Sequence, residues 1–367
     1  MPRQLHLSAA LDSPGQVDAA HFTALARHAE RAALDFVTLD DSYTPEPLRL
    51  DALATFARLA PVTRGLGLVP TVTTTHTEPF HTSISVNTLD WASEGRAGWL
   101  VGVSDTEAEA RAFGRKAAAP ADELWAEAAD AAEVATRLWD SWEDDAEIRD
   151  AATGRFVDRA KLHYIDFEGP HFSVRGPSIT PRPPQGRPVV AVTVTAADLA
   201  PDATAGGRAR ATTAIRYADV VLLDAPDRAT RLTAATELRL HGGESLRILA
   251  RIPAALDTDA AVSALLAEIT EGGGGVDGFH LVPAEPARDL AVLADRVVPA
   301  LRERGLFRAG YTGRTLREHL GLARPDSRYA AATAVPATAP ATAPAAPGTV
   351  SAAVPAPART APAEVTR

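Results

Sequence analysis

The sequence predicts an α/β protein of the (β/α)8, or TIM-barrel, class, with a long insertion between strands four and five and a disordered C-terminal tail. Short apolar β-type runs alternate with longer segments of helical periodicity, eight such runs occur, and the alternation stops near Tyr329, where the composition changes. A barrel of this class takes about 250 residues and tolerates insertions. The 329 residues before the break therefore leave an excess to be housed between two strands.

Strand one is Leu5–Leu11, followed by a helical stretch at Phe22–Ala33 whose apolar residues recur at spacings of three and four. Strands two, three and four are Phe36–Leu39, Leu66–Thr73 and Gly98–Val103. The 85 residues from 104 to 188 come next, with a helical stretch at Leu124–Ser141 and then the Pro-, Gly- and charge-rich segment Trp142–Pro188, expected to lie above the barrel mouth. Strands five to eight are Val189–Thr195, Asp219–Leu223, Leu246–Arg251 and Gly278–Val282, with further helices at Ala260–Ile269 and Leu290–Arg304. From Ala330 to Arg367 there are 16 Ala, 7 Pro and 6 Thr in 38 residues and no aromatic side chain. Such a segment cannot offset about 1–2 kcal/mol of backbone entropy per residue, so residues 330–367 are expected to be a disordered tail beyond a 1–329 barrel domain.

Composition narrows the function. The 367 residues carry 37 Lys and Arg against 47 Asp and Glu, a net charge of −10, and no cysteine. No disulfide framework, thiolate zinc site, iron–sulfur cluster or cysteine nucleophile can be built, and a cytoplasmic location is expected. The acidic balance without a basic run argues against nucleic acid and against docking on an anionic membrane, and no apolar run approaches a bilayer span. A Gly-x-Ser-x-Gly elbow is absent, so hydrolase chemistry has no local support.

In a (β/α)8 barrel the active site sits at the C-terminal ends of the strands. Polar residues there are Asp40 and Asp41 after strand two, Thr73, Thr74, Thr75, His76 and Glu78 after strand three, Ser104 and Asp105 after strand four, and the Thr193–Gly207 stretch after strand five. His76 is the candidate proton donor or acceptor, since an unperturbed imidazole titrates near pH 6.5. Gly272–Gly275 precedes strand eight, on the opposite face, and is expected to be a helix-to-strand turn. His76-x-Glu78-x-x-His81 falls on a predicted loop without the one-face helical geometry of a zincin, so no metal site is assigned. The acidic run Trp139–Asp145 opposes the macrodipole at a helix end and is expected to open, solvated, into the insertion.

Several runs carry a resemblance: Leu89-Asp90-Trp91-Ala92-Ser93-Glu94-Gly95-Arg96-Ala97-Gly98-Trp99, Leu138–Ala146, Gly154–Asp158, Gly169–Pro177, Pro181–Pro188, Arg304–Arg308 and Thr315–Leu322. In that order, over Leu5 to Pro325, the chain resembles the bacterial luciferase-like flavin monooxygenases, in particular the branch of nitrilotriacetate, EDTA, dibenzothiophene-sulfone and pristinamycin monooxygenases. The resemblance implies a (β/α)8 barrel that uses O2 and reduced FMN, supplied by a separate NAD(P)H-dependent flavin reductase, to oxygenate a small organic substrate, and a homo-oligomer. Asp41 matches the family's acidic residue near the flavin, Thr73, Thr74 and Thr75 its Ser/Thr run, and Ser104 the residue after strand four.

The chain departs from that pattern at Leu100, where the family has Asn, and at Ala121, Leu124 and Trp125, where it has His, Arg and Tyr. The family's phosphate loop after strand five becomes Val192-Thr193-Val194-Thr195, without its glycine, followed by an insertion of several residues ending Gly206-Gly207-Arg208. Those three residues can be expected to recreate a phosphate site at the next helix start. Two other readings stay open: a related barrel using another flavin such as deazaflavin F420, and a degenerate, cofactor-free barrel acting as a binding or subunit partner.

Overall fold

The structure, a computed structural model, describes residues 5–44, 47–271 and 275–330. The predicted tail from residue 331 onward and Gly272–Gly274 lie outside them, while Gly275 turns into the last strand with φ +89°.

In chain order the strands are β1 (His6–Ala10), β2 (Phe36–Leu39), β3 (Gly67–Thr73) and β4 (Gly98–Gly102). Two short hairpins follow, β5 (Glu147–Asp150) with β6 (Arg155–Val157) and β7 (Phe167–Glu168) with β8 (Ser173–Val174). The remaining strands are β9 (Val189–Thr195), β10 (Val220–Asp224), β11 (Arg247–Ala254) and β12 (Gly278–Pro283). Strands β1, β2, β3, β4, β9, β10, β11 and β12 pair in that order, all parallel, and β12 closes on β1 as a barrel. The predicted strands are all present, with ends shifted by no more than three residues.

The helices are α1 (Ala19–Arg31), α2 (Ala52–Leu59), α3 (Pro79–Ala92), α4 (Glu107–Phe113), α5 (Ala121–Asp140), α6 (Ala205–Tyr217), α7 (Arg228–Gly242), α8 (Asp259–Glu271), α9 (Pro286–Val292), α10 (Val298–Glu303) and α11 (Leu316–His319). The predicted stretch Leu290–Arg304 is divided by a π turn at Leu293–Val297. Helix α3 escapes a periodicity search because its buried face mixes Val86 and Leu89 with Thr82, Ser83, Asn87 and Asp90. Helix α6 escapes it because what it buries is small: Gly207, Ala211, Thr213 and Ala214.

One face of the strands packs on the helices around Leu7, Val37, Leu68, Trp99 and Val192. The alternate residues Phe36, Val69, Val189, Ala191, Val220, Leu222 and Leu249 cluster inside the barrel with Leu316 of α11 and Leu320 just after it, so α11 and its C-cap plug the base. Arg317 fixes that plug by donating to both carboxylate oxygens of Asp219 at 3.0 and 2.8 Å and to the Arg187 carbonyl. β1 and β12 meet so closely at Gly278 that a Cβ there would run into the backbone of His6. Gly278→Ala is expected to cost about 1–3 kcal/mol, read from the urea midpoint, because the strand pair must part to admit the methyl.

The segment after α5 differs from its expected place. Residues 178–188 run along the base: Gln185 donates to Asp90 at 2.6 Å and to the Ala97 carbonyl at 2.8 Å, just ahead of β4. Only its middle part, with His171 and Phe172, reaches a cleft beside His76. The acidic run ends α5 at Asp140 as expected, and Asp145 is exposed, but the run is not solvated throughout. Asp140 is fully buried and holds Arg182, Arg187 and Arg328, while Asp144 pairs with Arg182 and Arg324. Guanidinium groups from later in the chain, which no local pattern announces, neutralise a carboxylate that would otherwise oppose the helix dipole.

Candidate functional site at the barrel mouth

The threonines that end β3 divide by strand alternation. Thr71 and Thr73 share the inward parity of Val69, and both hydroxyls are buried without a partner. A Cβ on Gly102, one strand over, would press on the methyls of both, so glycine is what leaves room there. Thr74 donates its hydroxyl to the Gly102 carbonyl at 3.3 Å, and the Thr75 hydroxyl accepts from the Ser104 N–H at 2.9 Å. Thr74, Thr75 and Ser104 thus tie β3 to β4 as well as standing at the mouth.

Asp41 joins Thr71, Thr73, Thr77, His81 and Thr82 around a cavity of about 140 Å³. Burial pushes its carboxyl above the ordinary carboxylate range, although it accepts from the Ala52 and Ser42 N–H groups at 2.8 Å each. It is therefore also a loop anchor for the start of α2. Beyond Thr77 lies a second cleft of about 310 Å³, lined by Thr75, His76, Arg115, Lys116, His171 and Phe172 among others.

His76 stacks on Phe113, ring centres 4.6 Å apart and 13° from parallel, and neither ring nitrogen has a partner. Burial, reinforced by Lys116, lowers its pKa below the usual value, so the imidazole is neutral at neutral pH. Glu78 pairs with Arg115 at 3.3 Å, and His81 sits in the first turn of α3 and not on a loop, with Nε2 3.4 Å from the Ser85 hydroxyl. The sequence reading missed Glu109, which holds the loop after β2 by accepting from the Ser42 hydroxyl and Tyr43 N–H, both at 3.1 Å. It also missed the Lys116–Glu127 pair and His171 in the cleft wall. These come from α4, the α4–α5 loop, α5 and the β7–β8 turn, and only the fold brings them together.

Asp12, after β1, is a further mouth carboxyl: burial pushes its pKa up to about 6, against the Asp40 N–H that donates to it at 2.7 Å. Arg251, within β11, pairs with Asp224 at the end of β10 at 3.1 Å.

Gly206, Gly207 and Arg208 are placed differently from the expectation. Thr204 caps α6 by accepting from the Gly207 N–H at 3.0 Å. A Cβ on Gly206 would meet Ala121 of α5, and one on Gly207 would meet the Asp198 carboxylate, so both glycines serve close packing. Arg208 turns its guanidinium back to the Ala203 carbonyl. The residues that recess would need for a phosphate are thus engaged within the chain. The ring end of a flavin fits the orphaned hydroxyls of the mouth; the phosphate end does not fit the start of α6.

An all-parallel eightfold barrel with a polar mouth after β2, β3 and β4 defines a class of barrel enzymes built on loops at the strand ends. Residues 4–304 match the family model described as luciferase-like monooxygenase, and the chain belongs to that family. The chain is 30% identical to an N-acetyl-S-(2-succino)cysteine monooxygenase of Bacillus subtilis (strain 168), over 89% of this chain and 94% of that protein. It is 29% identical to nitrilotriacetate monooxygenase component A of Aminobacter aminovorans, over 85% and 92%, a member of the branch whose motifs it carries. The solved structure of EDTA monooxygenase from Chelativorans sp. BNC1 superposes with a TM-score of 0.73 at 21% identity, covering 88% of this chain and 99% of that one. Among the described residues no helix is long and apolar enough to cross a membrane.

Proposed function

We infer that this chain is the oxygenating component of a two-component FMN-dependent monooxygenase, taking reduced FMN from a separate NAD(P)H-dependent flavin reductase and oxygenating a small organic substrate. One observation carries the reading: the hydroxyls of Thr71 and Thr73 and both nitrogens of His76 are buried at the mouth without partners. An unmet buried polar group costs about 1–3 kcal/mol, so these groups, which line two adjoining cavities that share Thr77, favour an occupant with hydrogen-bonding edges, as an isoalloxazine has. Bound reduced flavin supplies the electrons with which O2 is split between substrate and water. The chain's own part is to seat the ring against Thr71 and Thr73, to exclude water with Phe113 and Phe172, and to hold or pass a proton at His76.

Anaerobic titration with reduced FMN tests this, with saturation expected in about the micromolar range. Absence of binding by either redox form would sink it. Reoxidation of the bound reduced flavin by air needs no substrate, and its rate is expected to change about tenfold or more in His76→Ala, with His76→Gln intermediate.

The cofactor-free partner reading is favoured by a specific observation, the filled recess at the start of α6. A chain that stays silent toward FMN, reduced FMN and F420 would select it, and a response to F420 alone would select the hydride-transfer reading.

A further inference from the structure

We propose that the anion seat at the start of α6 is filled from within by the Asp198 carboxylate, so that this chain does not hold a flavin phosphate there and reads a flavin by its ring. The inference deepens the flavin reading but rests on different residues. The turn between β9 and α6, Ala196–Leu199, brings Asp198 to the helix start, where it is buried. Its Oδ2 accepts from the Thr195 N–H at 2.7 Å, and its Oδ1 accepts from Arg210 at 2.7 Å. A Cβ added to Gly207 would stand 2.7 Å from that same Oδ1, so the carboxylate lies directly against the helix backbone.

Both arginines and two of the backbone donors that could grip a dianion here already have work. Thr195 N–H serves Asp198, Gly207 N–H serves Thr204, Arg208 serves the Ala203 carbonyl, and Arg210 serves Asp198 while lying 5.9 Å from the Trp125 ring centre. Trp125 is itself buried against α6, its carbonyl accepting from the Thr213 hydroxyl at 3.2 Å. A buried carboxylate satisfied by an arginine and a backbone N–H meets the same electrostatic demand that a phosphate would. Adding a dianion beside it sets like charges against each other where water cannot screen them. Arg210 Nε remains a buried donor without a partner, so Arg210 is included in the test.

The experiment has two arms on the full chain, both in buffer free of other oxyanions. In the first, thermal melting is followed with inorganic phosphate against chloride at matched ionic strength. No phosphate-specific rise is expected, and a rise that Arg208→Ala or Arg210→Ala abolishes would overturn the proposal. In the second, FMN and riboflavin are titrated in parallel, oxidised and reduced. Affinities within about threefold of each other are expected. A preference for FMN of about tenfold or more, lost in either arginine variant, would overturn the proposal. A preference that survives both variants places the phosphate elsewhere, which upholds the filled seat but overturns recognition by the ring alone. If neither flavin binds, the oxygenase reading fails, and the melting arm still decides the seat.

Discussion

Asp140→Ala is expected to destabilise the fold by about 3–5 kcal/mol, the cost of stripping an ion cluster of its fully buried carboxylate while leaving the cations in place. Arg187 donates to Oδ2 through Nε at 2.9 Å and through a second nitrogen, Arg182 reaches Oδ1 at 3.3 and 3.4 Å, and Arg328 approaches Oδ2 at 3.4 Å. Arg182, with a side chain 2% exposed, retains only Asp144 and the Pro325 carbonyl once Asp140 is gone. The cluster joins the end of α5, the segment entering β9 and the chain after α11, so its loss loosens three connections at the base together. Urea unfolding is the measurement. Asp140→Asn keeps the acceptor geometry on one oxygen and is expected to fall between wild type and alanine. Arg328→Ala, removing a partner whose side chain is 31% exposed, is expected to cost under about 1 kcal/mol. Equal losses in all three variants would mean that burial of the side chain, and not its charge, matters.

The same residue shows what the sequence could not disclose. Strand positions were legible because each barrel strand is a short apolar run, and β2 and β9 match their predicted limits. Thr73, Thr74 and Thr75 were legible because strand order and the rule for strand ends determine which face they occupy, whereas Thr71, inside β3, was not singled out. Asp140 was misjudged as solvated because its partners lie 42, 47 and 188 residues away, beyond any local pattern. Asp198 was passed over for another reason, since its partners Thr195 and Arg210 lie only 3 and 12 residues away. Gly206-Gly207-Arg208 has the composition of an anion cradle, and only the folded turn before it reveals a carboxylate already seated there. His280 hid inside a correctly placed strand, since neither apolar periodicity nor strand-end position singles out a polar side chain pointing into the barrel.

That histidine is expected to control part of the protein's acid stability. His280 of β12 is buried inside the barrel, where Nδ1 lies 2.9 Å from the Ser8 hydroxyl, Nε2 3.4 Å from that of Thr38, and Phe36 stacks alongside. Burial, with Arg251 adding to it, lowers its pKa from 6.5 to about 3. Between those values the unfolded chain binds a proton that the folded chain refuses, so stability is full above pH 6.5 and falls as the pH drops toward 3. The complete effect amounts to about 4–5 kcal/mol by the usual conversion of pKa difference to free energy. Asp12 and Asp90 act in the opposite sense. Burial raises both from 3.8 to about 6, so the folded chain takes up protons there first and gains stability relative to neutral pH as the pH falls through that range. The total acid slope is therefore a difference of opposing contributions, and His280 is isolated by comparing wild type with His280→Gln, which can still reach Ser8 and Thr38. Urea midpoints measured from pH 7 downward should fall more steeply in wild type than in the variant, the gap opening below about pH 6.5. Parallel curves would mean that the folded barrel accepts the proton on His280, and that the low pKa set by its surroundings is not realised in solution.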